Sequence, residues 1–170
     1  HLHFTADDYP RLGNLIKCNP AIKAPNNRDA LWAALLDDRL DLIATDHAPH
    51  TLAEKGYFRN GSGQLEKLAG EAGAYLNAHA GLPLVQHSLL LMLHYVKQGK
   101  ISLEKLVEKM SHAVADCFQI KERGYIREGY FADLVIVDLQ GSSDIHAGDI
   151  LYKCGWSPLE GMHFPASIKN

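Results

Sequence analysis

Residues 40–50 constrain this chain more than any other stretch. Leu40-Asp41-Leu42-Ile43-Ala44 is a brief apolar run bounded by charged residues, too short for a helix, and reads as a buried strand. It leads directly into Thr45-Asp46-His47-Ala48-Pro49-His50. Upstream, from about Arg28 to Asp37, Leu31, Ala34 and Leu35 recur at helical spacing, with Asn26 and Asn27 as candidate N-caps and Asp29 in the first turn. A helix feeding a buried strand implies an α/β layer. In such folds ligands gather at the carboxyl ends of strands, because the loops there vary while the sheet holds them rigidly. One carboxylate and two imidazoles therefore stand at the edge where chemistry is expected.

The segment that follows is polar. Residues 51–63, ending in Asn60-Gly61-Ser62-Gly63, have the composition of a loop with little to bury, the anatomy of a lid beside a site. Leu65 to Ala80 is rich in Ala and Leu and predicts a helix, weakened by Gly70 and Gly73. Leu89, Met92, Leu93 and Val96 mark a further helical stripe ending before Gly99, and Ser102 is placed to cap the next helix, through Met110. Lys97, Lys100, Lys105 and Lys109 read as a solvated face. A turn is expected at Tyr125–Tyr130 and a strand within Phe131–Asp138. The composition shift near Arg123–Gly129 divides the chain into residues 1–122 and 123–170. Neither an internal repeat nor a low-complexity segment is visible.

Composition narrows the class. With 170 residues, 46% hydrophobic and 22% charged, the chain can bury a core, which excludes disorder, collagen and coiled coil. A formal charge of -3 gives no global reason to expect nucleic acid or an anionic membrane as partner. The run Leu89–Leu93 falls far short of the roughly 20 apolar residues that span a bilayer, and no signal peptide is expected. Three scattered cysteines, Cys18, Cys117 and Cys154, suggest reduced thiols and a cytoplasmic protein. Because it opens on His1-Leu2-His3-Phe4 rather than Met, the chain reads as a piece of something longer.

Asp46 can ligate a metal or act as a base toward a metal-activated water, roles open to a carboxylate beside zinc. The plainer alternative is an Asp-His pair that caps a strand end and ties down the loop. Asn19, next to Pro20, offers an amide donor and a carbonyl acceptor in a fixed loop, suited to a substrate with amide and carboxylate groups. A turn that simply ends a strand is the commoner reading of Asn-Pro.

Four segments, taken in order, make a resemblance specific. Lys17-Cys18-Asn19-Pro20-Ala21-Ile22-Lys23, Ala44–His50, Gly81-Leu82-Pro83-Leu84-Val85-Gln86-His87-Ser88 and Gly124–Val135 look like the C-terminal half of the dihydroorotases, the amidohydrolase-superfamily enzymes of pyrimidine biosynthesis. The resemblance covers about His1 to Trp156. Ala-Thr-Asp-His-Ala-Pro-His is its most family-specific part, whereas the Gly124–Val135 tail is shared by many amidohydrolases.

The resemblance implies an α/β fold, the C-terminal part of a TIM (β/α)8 barrel of amidohydrolase type plus strands of a small accessory β-domain. Asp46 becomes the aspartate that binds zinc and shuttles the proton, Asn19 and His50 become substrate contacts, and Ala80 and Gly81 match a loop whose backbone meets the substrate ring. The cofactor implied is a binuclear zinc site, most of whose ligands lie outside these residues, so the chain alone lacks part of its active site. The partners implied are a small-molecule substrate and a second copy in a dimer. The implied reaction is the reversible ring closure of N-carbamoyl-L-aspartate to dihydroorotate. Two alternatives stand beside it: a related cyclic amidohydrolase of allantoinase or hydantoinase type, and a catalytically inactive scaffold. His1-Leu2-His3 imitates the metal-binding His-x-His of the superfamily but lies out of its context, so neither histidine is expected to be a ligand. His47 is expected to orient a neighbour, and His87 and His94 to be structural or surface groups.

Overall fold

Glycine and proline punctuation sets most element boundaries in the computed structural model, which describes residues 1–169. In chain order the elements are α1 (Tyr9–Leu12), α2 (Pro25–Leu36), β1 (Tyr57–Arg59), β2 (Leu65–Lys67), α3 (Ser88–Lys97), α4 (Leu103–Val107), α5 (Ala113–Cys117), β3 (Ile136–Asp138), β4 (Ser143–Asp144), β5 (His163–Phe164) and β6 (Ser167–Lys169). Pro25 opens α2, where its missing N–H costs nothing. Asn26 and Asn27 therefore lie inside the first turn rather than capping it. Ser102 does cap α4, its hydroxyl accepting from the Lys105 amide at 3.1 Å. Among the described residues no helix is long and apolar enough to cross a membrane. The chain forms two compact units.

The first unit joins residues 1–31, 46–86 and 145–161. Its interior holds Phe4, Leu15, Ile16, Leu82, Trp156 and Leu159. The polar stretch 51–63 is not a structureless loop: β1 and β2 form an antiparallel hairpin pairing Tyr57 with Lys67 and Arg59 with Leu65. The Asn60 carboxamide oxygen ties its turn, accepting from the amides of Ser62 and Gln64, both at 3.0 Å. Nor is the stretch without buried groups, because Lys55 is fully enclosed. The expected helix over 65–80 is absent. Leu65–Lys67 is taken up by β2, Gly70 adopts φ +61°, and one tight turn forms at Gly70–Gly73, where the backbone passes so close to the Leu68 carbonyl that only glycine fits. The segments around His47 and Leu82 run parallel and meet in a single bridge, with the Ala48 amide donating to the Leu82 carbonyl at 3.1 Å.

The second unit joins residues 32–45, 87–144 and 162–169. Its helices pack through Trp32, Leu90, Leu93, Leu106 and Ala115, with Trp32 edge-on to Tyr95 at 4.8 Å between ring centroids. Between α4 and α5 the helix widens into one π-turn at Glu108–His112. The Lys109 carbonyl there accepts from the Ile43 amide at 3.0 Å, an outside donor of the kind that accompanies such widening. Leu40–Ala44 is extended but joins no ladder among the described residues, and Leu40 and Ala44 are exposed, so the buried strand is not formed. Among the described residues the strand expected in 131–138 is confined to β3, which runs antiparallel to β6 and pairs Ile136 with Lys169 and Asp138 with Ser167. β4 and β5 add a second short pair.

Lys109 corrects the solvated-face expectation. It is 2% exposed, and its ammonium donates to the carbonyls of Leu40 at 2.6 Å and Asp41 at 3.2 Å while pairing with Asp38 at 2.8 Å. The helix-to-extended corner at 38–41 folds over the lysine and turns its carbonyls inward. Lys105 also pairs with Asp38. Together the two ammonium groups lower the Asp38 carboxyl from its ordinary 3.8 to about 2. The folded-state value lies below the unfolded one, so this contribution is present above about pH 4 and is lost as pH falls toward 2. Asp38 has φ +67°, which asparagine tolerates. Asp38→Asn is therefore expected to lower the urea midpoint at pH 7, with the difference from the parent shrinking between pH 4 and 2. A pH-independent difference would contradict the pairing.

Candidate active site

The motif Thr45–His50 lays its side chains out along a bend rather than a helix. Asp46 adopts the left-handed conformation at φ +46°, which throws its carboxylate to the exposed side. Its charge still reaches Cys18, whose thiol pKa is raised first by burial and also by Asp46, against the opposing pull of Lys55 and the amino terminus. Cys18 precedes Asn19, which is exposed.

His47 faces the other way. Its Nδ1 accepts from the Leu84 amide at 3.1 Å and the Val85 amide at 3.4 Å, so the ring proton belongs on Nε2 and the imidazole seats the end of the 82–85 segment. His50 is half-buried, with Nε2 3.1 Å from the Ala80 carbonyl. Its own carbonyl accepts from the indole N–H of the fully buried Trp156 at 2.7 Å. Gly81 is buried at φ +147°, where a Cβ would stand 2.6 Å from the Ala48 Cβ and 3.0 Å from the His50 ring. The fold thus brings His50, Ala80 and Gly81 into one contact and joins the Asn19 loop to them, since the Gly81 amide donates to the Lys17 carbonyl at 2.9 Å.

Lys55 is a member of this cluster that its sequence setting did not announce. Its ammonium donates to the carbonyls of Lys17 at 2.9 Å, His79 at 2.8 Å and Gly81 at 2.9 Å. Burial pushes its pKa from 10.5 down to about 8, with nearby Cys18 opposing that drop and Lys17 adding to it. Trp156 was equally hidden, an aromatic in a tail without period. His79 and Glu54 complete the surroundings. The His79 ring stacks on His50 at 5.1 Å, and Glu54 is anchored through Oε2 by the Thr51 amide at 2.7 Å and hydroxyl at 2.9 Å.

His50, Glu54 and His79 each offer one ligand atom, all within 4.8 Å of one another, a group that can hold a metal ion. Asp46 is not part of it. A cavity of about 460 Å³ lies beside the Asn19 loop, walled by Phe4, Pro20, Asn27 and Leu31, and its lining includes none of Asp46, His50, Ala80 or Gly81.

The profile of the amidohydrolase family matches residues 6–169. The chain belongs to the amidohydrolase family. Its fold is accordingly α/β, part of a TIM barrel of amidohydrolase type with accessory strands. Among curated relatives, the dihydroorotase of Halobacterium salinarum is 35% identical over 161 residues, a match covering 95% of this chain and 34% of the relative. The allantoinase of Desulfitobacterium hafniense is 30% identical over 171 residues, covering 100% of this chain and 34% of that protein. The solved L-hydantoinase (dihydropyrimidinase) from Arthrobacter aurescens superposes with a TM-score of 0.81 at 29% identity, over 98% of this chain and 34% of its own. The amidohydrolase chain described here thus spans about a third of the length of the relatives it matches.

The enclosed Gly81 provides a test of this geometry. Gly81→Ala is expected to cost about 2 kcal/mol, as overpacking against a closed wall does, and to speed amide exchange at residues 80–82. Unchanged thermal stability and exchange would show that residues 80–82 do not press on Ala48 and His50.

Proposed function

We propose that the complete protein carrying this segment is a dihydroorotase, catalysing the reversible cyclisation of N-carbamoyl-L-aspartate to dihydroorotate on the route to pyrimidine nucleotides. The observation that carries this reading is the 35% identity to a dihydroorotase along 95% of the chain. Residues 1–122 are read as barrel and residues 123–170 as accessory segment and tail. A cytoplasmic dimer acting on a small molecule completes the proposal.

The family implies zinc, and an exposed carboxylate at the end of an extended segment is a fitting donor for it. Asp46 would hold the metal together with ligands from outside these residues. Zinc, when bound, polarises the ring carbonyl and brings the pKa of water to about 7 from about 15.7. The rest falls to the chain. In the hydrolytic direction Asp46 takes a proton from the attacking water, the carbonyl carbon gains that oxygen, the ring C–N bond breaks, and Asp46 returns the proton to the departing nitrogen. The reverse sequence closes the ring. Asn19 offers its carboxamide, and His50 a donated hydrogen bond, to the amide and carboxylate of the substrate. At Ala80 and Gly81, where the Gly81 amide and both carbonyls are already engaged, the Ala80 amide and the second lone pairs of the carbonyls are the groups left for the ring.

A second reading, a cyclic amidohydrolase of allantoinase or hydantoinase type, draws on the 30% identity to an allantoinase and the 0.81 TM-score to an L-hydantoinase. Both readings use Asp46 alike.

In the complete protein Asp46→Asn is expected to lower kcat for dihydroorotate hydrolysis by about 10²- to 10⁴-fold, the usual worth of a positioned acid–base group. Retained turnover with unchanged metal content would remove Asp46 from this role. His50→Ala is expected to raise KM with metal content unchanged, and loss of zinc at normal KM would refute a substrate role.

A further inference from the structure

An ammonium has three N–H bonds, and that of Lys55 meets three carbonyls at 2.8 to 2.9 Å. These acceptors come from residues far apart in sequence: Lys17, two positions before Asn19, then His79 and Gly81, which flank Ala80. All three acceptor residues are tied a second time. The Lys17 carbonyl also accepts from the Gly81 amide at 2.9 Å, and the Glu54 carbonyl accepts from the His79 amide at 2.9 Å. The lysine is fixed at its own backbone too, since its amide donates to the Leu52 carbonyl at 3.0 Å and its carbonyl accepts from the Asn14 carboxamide at 3.0 Å. Above it lies Trp156, 5.9 Å from the ammonium to the ring centroid, whose indole N–H holds the His50 carbonyl.

A buried lysine with no carboxylate partner among the described residues is a costly choice if its only task is cohesion, because an apolar side chain of similar length would fill the space without desolvating a charge. What the ammonium alone supplies is direction: three donors that orient three main-chain carbonyls inward at once. Turning the His79 carbonyl toward Lys55 sets the peptide plane before Ala80, turning the Gly81 carbonyl sets the Gly81–Leu82 plane, and the Ala80–Gly81 peptide between them is tied to the same lysine's partner through the Gly81 amide and the Lys17 carbonyl. This leaves the Ala80 carbonyl aimed at His50 Nε2.

We propose that Lys55 is a positioning residue of the substrate pocket, setting the Asn19 loop and the Ala80–Gly81 backbone at fixed places relative to His50. This rests on the reading of Asn19, His50, Ala80 and Gly81 as substrate contacts. Lys55 touches no reacting atom. Its effect is on binding, with Asp46 chemistry left in place.

The test uses Lys55→Met and Lys55→Arg in the complete, metal-loaded protein. For Lys55→Met, KM for dihydroorotate is expected to rise about tenfold or more while kcat changes less than about threefold, the signature of lost binding rather than lost chemistry. Exchange of the His79 and Gly81 amides is expected to quicken about tenfold or more as their partners loosen. Lys55→Arg, which keeps charge and donors, is expected to recover part of both effects. Should Lys55→Met fail to fold, Lys55→Arg alone decides, with KM raised between about twofold and tenfold and exchange faster only at residues 79–82. A folded Lys55→Met with KM and exchange like the parent overturns the proposal. So does a fall in kcat at constant KM, or a loss of stability spread evenly over the first unit that arginine does not relieve. If the parent itself does not turn over dihydroorotate, the reaction assignment fails while the exchange pattern at residues 79–82 still judges the positioning.

Discussion

The ammonium of Lys55 and its three carbonyl partners form the interaction on which the candidate site depends. Asn19, His50 and the Ala80–Gly81 backbone lie on three loops, and loops hold a geometry only when something inside them satisfies their inward-facing polar groups. Here a single cation does so for the Lys17, His79 and Gly81 carbonyls, and Trp156 does the same for His50. Gly81 is the complementary requirement. Only a residue without a side chain fits between Ala48 and the His50 ring.

The second unit uses the same device. Lys109 directs its ammonium at the Leu40 and Asp41 carbonyls, but there Asp38 shares the charge. The difference is chemical. Lys109 keeps a carboxylate partner and a corner at the protein surface, whereas Lys55 is compensated by main-chain dipoles and an indole face, which is why burial draws its pKa down to about 8.

The amidohydrolase family was legible because its most specific string, Ala44–His50, is contiguous, and a contiguous motif survives whatever the rest of the chain does. Ser102 was legible for the same reason, since a cap and its partner are three residues apart. What failed depended on distant partners. Lysines in a polar loop or on a helix read as solvated, and nothing local reveals that carbonyls 38 residues upstream and 24 and 26 residues downstream enclose Lys55. The Ala- and Leu-rich run at 65–80 looked helical because its composition outweighed two glycines, yet Leu65–Lys67 pairs with β1 and Gly70 takes a positive φ. The apolar run at 40–44 predicted a strand, but a strand is a relation between segments, and among the described residues no neighbour pairs with it.

The relative turnover of dihydroorotate, allantoin and a simple hydantoin by the complete, zinc-loaded protein tests the functional account most directly. The account predicts kcat/KM for dihydroorotate exceeding that for either of the others by about 10²-fold or more, because a pocket built to hydrogen-bond one substrate leaves its polar groups unpaired with another. A preference for allantoin or the hydantoin would contradict it, and would reassign the contacts proposed for Asn19, His50, Ala80 and Gly81 to that ring instead.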